Sequence, residues 1–126
     1  MFKIDINKRM HLTRGDVACM RIKGLKEDGK TLYTFNLDDI VRLKVMEAGK
    51  CENVVLTKDV KVTEAGESVR MFLTGSETKI GGIISKPTRY WYEIELNPDT
   101  DPRSIICYDE KGPKLFILYP EGGDKK

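Results

Sequence analysis

Apolar and polar side chains alternate along most of this chain, the signature of strands that bury one face and wet the other. Between Asp16 and Lys23, Ala18, Met20 and Ile22 fall on one side and Arg21 and Lys23 on the other. Between Ile40 and Glu47, Val41, Leu43 and Val45 point one way while Arg42, Lys44 and Glu47 do not. Val69, Met71 and Leu73 repeat the pattern against Ser68, Arg70 and Thr74. The clearest run is Tyr90 to Leu96, which predicts Tyr90, Tyr92, Ile94 and Leu96 inward and Trp91, Glu93 and Glu95 outward. A further strand is expected around Asn53 to Thr57, and Ser104 to Tyr108 is expected to pair with Lys114 to Leu118. Ile105-Ile106 and Phe116-Ile117-Leu118 are continuous apolar runs, so alternation leaves the register of those last two strands open.

Turn chemistry separates these runs. Glu27-Asp28-Gly29-Lys30 and Glu47-Ala48-Gly49-Lys50 place a glycine where a tight hairpin needs positive φ. Glu64-Ala65-Gly66-Glu67 and Asp109-Glu110-Lys111-Gly112-Pro113 read the same way. Helix is scarce: one turn is expected around Ser76 to Ile80, stopped by Gly81-Gly82, and Asp38-Asp39 precede a β-branched run that favours strand. Strands about ten residues apart, punctuated this regularly, point to an antiparallel sandwich or barrel. A length of 126 residues suits one domain, expected over 1–120, with the polar, glycine-containing segment 121–126 as a mobile tail.

Charge narrows the partners. A third of the residues are charged, yet the signs nearly cancel to a net +2 and the basic residues are dispersed. Nucleic acid calls for a clustered basic stripe, so it is not an expected partner. No segment reaches the ~20 apolar residues of a membrane helix, and Met1 to Asp5 lacks the apolar core of a secretion signal, so a soluble protein is expected. Cys19, Cys51 and Cys107 are odd in number and far apart, which fits reduced thiols rather than a disulfide framework.

Candidate chemistry is thin. A Ser-His-Asp or Cys-His site would have to be built on His11, the sole histidine, which sits among strand residues. One histidine and three scattered cysteines make a poor zinc set, so no metal and no cofactor are expected. Glu93 and Glu95 share a strand face, about 7 Å apart, and read as a solvated surface rather than a glycosidase pair. Gly81-Gly82 and Gly122-Gly123 match no phosphate-binding loop. Arg14-Gly15-Asp16 spells an adhesion tripeptide, but Gly15 reads better as a bend before a strand, with Asp16 bonding backbone donors nearby. Trp91 and Phe72 are the outward aromatics, the kind of side chain that centres an interface or stacks on a sugar.

In its ordered motifs the chain resembles the N-terminal domain of siphophage baseplate upper proteins, a tail-associated immunoglobulin-like module. The likeness lies in Thr13-Arg14-Gly15-Asp16 opening a strand, then Leu73-Thr74 with Glu77-Thr78, then Tyr90-Trp91-Tyr92-Glu93-Ile94-Glu95-Leu96. The closing hairpin would be Ser104 to Tyr108 with Lys114 to Leu118. The pattern spans residues 6–120, departing where Pro87-Thr88 replaces the glycine that usually precedes the tyrosine strand. This resemblance implies an all-β, antiparallel immunoglobulin-like β-sandwich with at most one or two short helical turns. It implies a non-enzymatic structural component of a phage or prophage tail or baseplate, made in the bacterial cytoplasm and resident in the virion tail. Other tail subunits, and further copies of the chain in a ring, would be its partners. Trp91 and Phe72 would form the apolar centre of the contact and Arg42, Lys44 and Glu93 its charged rim. Of a different class is a carbohydrate-binding sandwich that stacks cell-wall polysaccharide on Trp91 and the tyrosines; a hydrolase or another small-molecule enzyme ranks behind both.

Overall fold

A computed structural model of the chain describes residues 1–26 and 28–121. Among these described residues nine strands follow one another: β1 (Phe2–Ile4), β2 (Met10–Thr13), β3 (Ala18–Ile22), β4 (Ile40–Glu47), β5 (Lys50–Lys61), β6 (Val69–Leu73), β7 (Thr88–Leu96), β8 (Arg103–Ile106) and β9 (Lys114–Tyr119). Seven of them form one sheet in the order β1-β2-β9-β7-β4-β5, with β8 pairing β7 alongside β9, and β3 and β6 form a second, two-stranded sheet. The chain is all-β, with the two sheets packed as a sandwich-like pair.

β3, β4, β6 and β7 each bury the side that alternation assigned to them. Ala18, Met20 and Ile22 of β3 and Val69, Met71 and Leu73 of β6 pack against Val41, Leu43 and Val45 of β4 and Tyr92, Ile94 and Leu96 of β7. Met10, Leu12, Phe116 and Leu118, all at most 1% exposed, extend this core under β2 and β9. The expected edges of β4 match the observed ones and β6 lies within the Ser68 to Thr74 run, whereas β5 runs well past Asn53 to Thr57 in both directions.

Two pairings and one strand boundary depart from expectation. β2 runs parallel to β9, Leu12 opposite Leu118, in a structure otherwise paired antiparallel. Parallel neighbours need a long crossover, and here everything from β3 to β8 serves as one. Next, β8 does not form a hairpin with β9. It continues the β9 side of β7, Ile106 facing Ile94, and only the Asp109–Gly112 bridge closes the turn expected there. Finally, Arg14-Gly15-Asp16 does not open a strand: β2 ends at Thr13, and Gly15 (φ +88°) turns the chain across to the other layer.

The turn residues otherwise behave as their chemistry demands. Gly49 (φ +79°) closes the β4–β5 hairpin, where Glu47 faces Lys50. The Asp28 carboxylate accepts from the Lys30 and Thr31 amides and the Thr31 hydroxyl; Glu27, named with that turn, lies outside the described residues, as does 122–126 of the expected tail. Glu121 itself is half-buried, 3.8 Å from the Arg14 guanidinium. The helical stretch expected from Ser76 is reduced to hydrogen-bonded turns, stapled by a capping box: the Glu77 amide donates to Thr74 Oγ1 and the Thr74 amide to Glu77 Oε1.

That turn locks onto the Arg14-Gly15-Asp16 corner. Thr78 is wholly buried; its hydroxyl accepts from the Gly15 amide at 3.1 Å and donates to the Asp16 carbonyl at 2.8 Å. Arg14 caps the far end by donating to the Ile80 and Gly81 carbonyls. The backbones come close enough that a Cβ on Gly75 would lie 2.7 Å from the Gly15 carbonyl oxygen. Gly75→Ala is therefore expected to destabilise the fold by about 1–3 kcal/mol, since backbone rather than a yielding side chain must move. Urea or thermal unfolding checks this, with Gly82→Ala, where a Cβ meets nothing within 4 Å, as the tolerated control.

Candidate functional site

The large sheet has one face under β3 and β6 and the other open to solvent. Because β4 and β7 pair in register at its centre, their outward side chains fall into rows across the strands. One row is apolar: Val54 of β5, Met46 of β4, Trp91 of β7 and Leu115 of β9 lie side by side. Met46 faces outward yet is only 4% exposed, so its neighbours in the row shield it. Trp91 is half-buried and meets Tyr108 edge to face, ring centroids 6.0 Å apart. Tyr108 stands 65% exposed from the loop after β8 and extends the row into solvent.

The next rows are ionic. Lys44 of β4 lies between two carboxylates of β7, 3.9 Å from Glu93 and 3.5 Å from Glu95. Its ammonium is within ion-pair range of Glu95 Oε1, but that buried oxygen has no hydrogen-bond donor. Burial, reinforced by the neighbouring Glu95 charge, pushes the Glu93 carboxyl above its ordinary pKa. One row further, Arg42 donates twice to Asp59 of β5 and twice to Asp99 beyond β7. This cluster holds two cations, Arg42 and Lys44, against four carboxylates, Glu93, Glu95, Asp59 and Asp99.

Four of the five expected contact residues, Trp91, Arg42, Lys44 and Glu93, thus come together on one face. Phe72 does not join them. It is outward, as expected, and 50% exposed, but on the small sheet, so the core separates it from Trp91. Sequence alternation identifies which side of its own sheet a residue takes; it carries no information about which sheet that is. Met46, Leu115, Val54 and Tyr108 escaped the sequence reading because only cross-strand register places them beside Trp91.

His11 is more engaged than an ordinary strand histidine. Nδ1 lies 2.8 Å from the Tyr119 hydroxyl and Nε2 2.9 Å from Asp5 Oδ2, so both ring nitrogens have partners. Asp5 also accepts from the Asn7 and Arg9 amides and the Arg9 side chain, closing the β1–β2 turn. The imidazole thus meets an acid, but among the described residues no thiol or serine hydroxyl is hydrogen-bonded to it, and the surface hollow beside this turn is lined by Ile6 to Arg9, Asp109 to Lys111 and Pro113 to Leu115 rather than by His11. Cys19 and Cys51 are exposed on β3 and β5, and Cys107 is half-buried after β8. Among the described residues no three His, Cys, Asp or Glu side chains gather as a metal set, and no helix is long and apolar enough to cross a membrane.

Comparison with family models, with curated proteins and with solved structures returns no match in any of the three.

Several carboxyls, Asp39, Asp59, Glu77 and Asp109 among them, are held below their ordinary pKa and shape the acid limb of stability, and two aspartates show the largest shifts. The hydrogen bond to His11, then those from Arg9 and Asn7, hold Asp5 well below the usual carboxylate range, and the Thr31 hydroxyl and backbone amides bring Asp28 down to about 2. A carboxyl with a lowered folded-state pKa adds stability that is complete above its unfolded value, near 4, and lost as pH falls through the folded value. Stability is therefore expected to decline between about pH 4 and 2. The Asp5→Asn/Asp28→Asn protein is expected to show a shallower decline in urea melts; an unchanged slope would contradict the assignment.

Proposed function

We propose that this chain is a non-catalytic assembly module, a structural component of a phage or prophage tail baseplate, which meets neighbouring tail subunits through the outer face of its large sheet. The observation that carries the binding role is the apolar row Val54–Met46–Trp91–Leu115, set beside an ion cluster on an otherwise solvated sheet face. An aromatic centre with a charged border is the usual composition of a contact patch. The tail assignment draws on the resemblance of the Thr13-to-Asp16, Leu73-to-Thr78 and Tyr90-to-Leu96 motifs to baseplate upper proteins.

Trp91→Ala is expected to weaken binding to co-encoded tail subunits by about 2 kcal/mol, roughly thirtyfold, as loss of a central aromatic anchor does. Calorimetric titration measures this, with near-wild-type melting showing that the core survives. Unaltered affinity in the variant, or no tail subunit that binds the wild type, would remove the reading.

The exposed Tyr108 ring beside Trp91 favours one second reading, a stacking platform for cell-wall polysaccharide. On that reading polysaccharide shifts the Trp91 fluorescence and Tyr108→Ala reduces the shift severalfold; silence across a panel of wall glycans dismisses it.

A further inference from the structure

Inward positions on β3 recur at every second residue, Ala18, Met20 and Ile22, and the next in that series is Gly24. Gly24 is buried, and its φ is not in the left-handed region, so the backbone does not demand glycine there. A Cβ at Gly24 would stand 3.7 Å from Ile105 of β8 and 3.9 Å from Tyr33, which is ordinary contact. The covering layer therefore ends one apolar side chain short. It does so above groups of the core, since Leu96 belongs to the core cluster and Tyr33 and Ile105 pack against it.

A hollow of about 740 Å³ opens at this end of the sandwich, its apolar part lined by Gly24, Leu25, Tyr33, Leu96 and Ile105. That volume lies within the ~300–1,000 Å³ of small-molecule pockets. The floor is fixed before anything enters. The Tyr33 hydroxyl donates to Asp39 at 2.9 Å, and its ring meets Phe35 edge to face, centroids 5.2 Å apart. Leu25 lines the hollow yet is 57% exposed, so apolar surface there faces water. Charge around the rim is matched. Arg103 lies 3.3 Å from Asp101, and Lys26 is opposed by Asp28, whose carboxylate already accepts from the Lys30 and Thr31 amides. Among the described residues the rim thus offers no excess of either sign to draw an ion.

We propose that this hollow binds an uncharged, largely apolar small molecule carrying a planar ring, which lies on Leu96, Ile105 and Tyr33 and takes the place of the side chain that Gly24 lacks. The matched rim disfavours a carboxylate or an ammonium, because an ion would lose hydration without gaining a counter-charge. Contact of the ring with aliphatic and aromatic side chains supplies the affinity. The site goes beyond the assembly reading and is separate from the Trp91 row: Leu96 is buried on the inner side of β7, whereas Trp91 faces out.

Titration of the full chain with Nile red, an uncharged planar dye whose emission rises and shifts to the blue in apolar surroundings, tests it. The wild type is expected to bind saturably, one dye per chain, with an affinity that changes by less than about twofold between ~50 and ~500 mM salt. Gly24→Leu extends a side chain into the hollow and is expected to weaken binding by about tenfold or more while melting stays near that of the wild type. Leu25→Asp, at an exposed position that the fold does not need, is expected to weaken it by about fivefold or more and serves if Gly24→Leu does not fold. Trp91→Ala is expected to bind the dye as the wild type does. In competition, 2-naphthol is expected to displace the dye about tenfold better than its carboxylate counterpart 2-naphthoate. Binding that Trp91→Ala removes, uptake that never saturates (an adventitious additive only), undiminished binding in the folded Gly24→Leu or in Leu25→Asp, or naphthoate competing as well as naphthol overturns the inference. None of these outcomes bears on tail-subunit binding through Trp91, which is measured separately.

Discussion

A seven-stranded amphipathic sheet cannot leave both faces in water, and the rest of this molecule follows from how it covers one of them. The lid is small: β3 and β6 supply six inward apolar side chains, and the Phe35 and Ile80 side chains fill in around them. Burial of a single Leu or Phe is worth about 1.5–3 kcal/mol, against about 0.5–1.5 for a net hydrogen bond, so the apolar contact supplies most of the stability. Hydrogen bonds do something else here. Thr78 and Arg14 join the segment entering β3 to the segment leaving β6, and so fix where a two-stranded lid, marginal alone, sits on the sheet.

Covering one face leaves the other open to solvent. On that outer face the ion pairs are partly exposed, and such pairs individually contribute only about 0–1 kcal/mol to folding. Their arrangement matters more than their number. Arg42 is fully committed to Asp59 and Asp99, whereas Lys44 is shared between two glutamates and leaves one oxygen without a donor. Charge placed this way adds little to the stability of the monomer. On the small sheet two arginines, Arg21 and Arg70, face each other, and among the described residues no acid pairs with either.

The His11 environment shows why residue type alone is a weak guide to chemistry. A histidine linked to an aspartate and a tyrosine resembles catalytic machinery in composition. Here Asp5 organises the β1–β2 turn, Tyr119 closes β9, and the imidazole ties the two together across the parallel β2–β9 pair. Those contacts pin a junction between chain segments distant in sequence.

Alternation and turn chemistry were enough to read β3, β4, β6 and β7, their inward faces and the all-β class from the sequence, because those depend on neighbours two residues away. The inward choice of Tyr92, Ile94 and Leu96 and the outward choice of Trp91 and Glu93 both held. Pairing was another matter. Nothing local distinguishes β8 beside β7 from β8 beside β9, or announces that β2 lies parallel to β9, since these choices are settled by which long-range contacts bury the most surface. The same limit governed the candidate site. Phe72 and Trp91 look alike in sequence, each an outward aromatic on an alternating strand, yet the sandwich sets them on opposite sides. Local pattern determined which side chains meet water; only tertiary packing decided which of them meet one another.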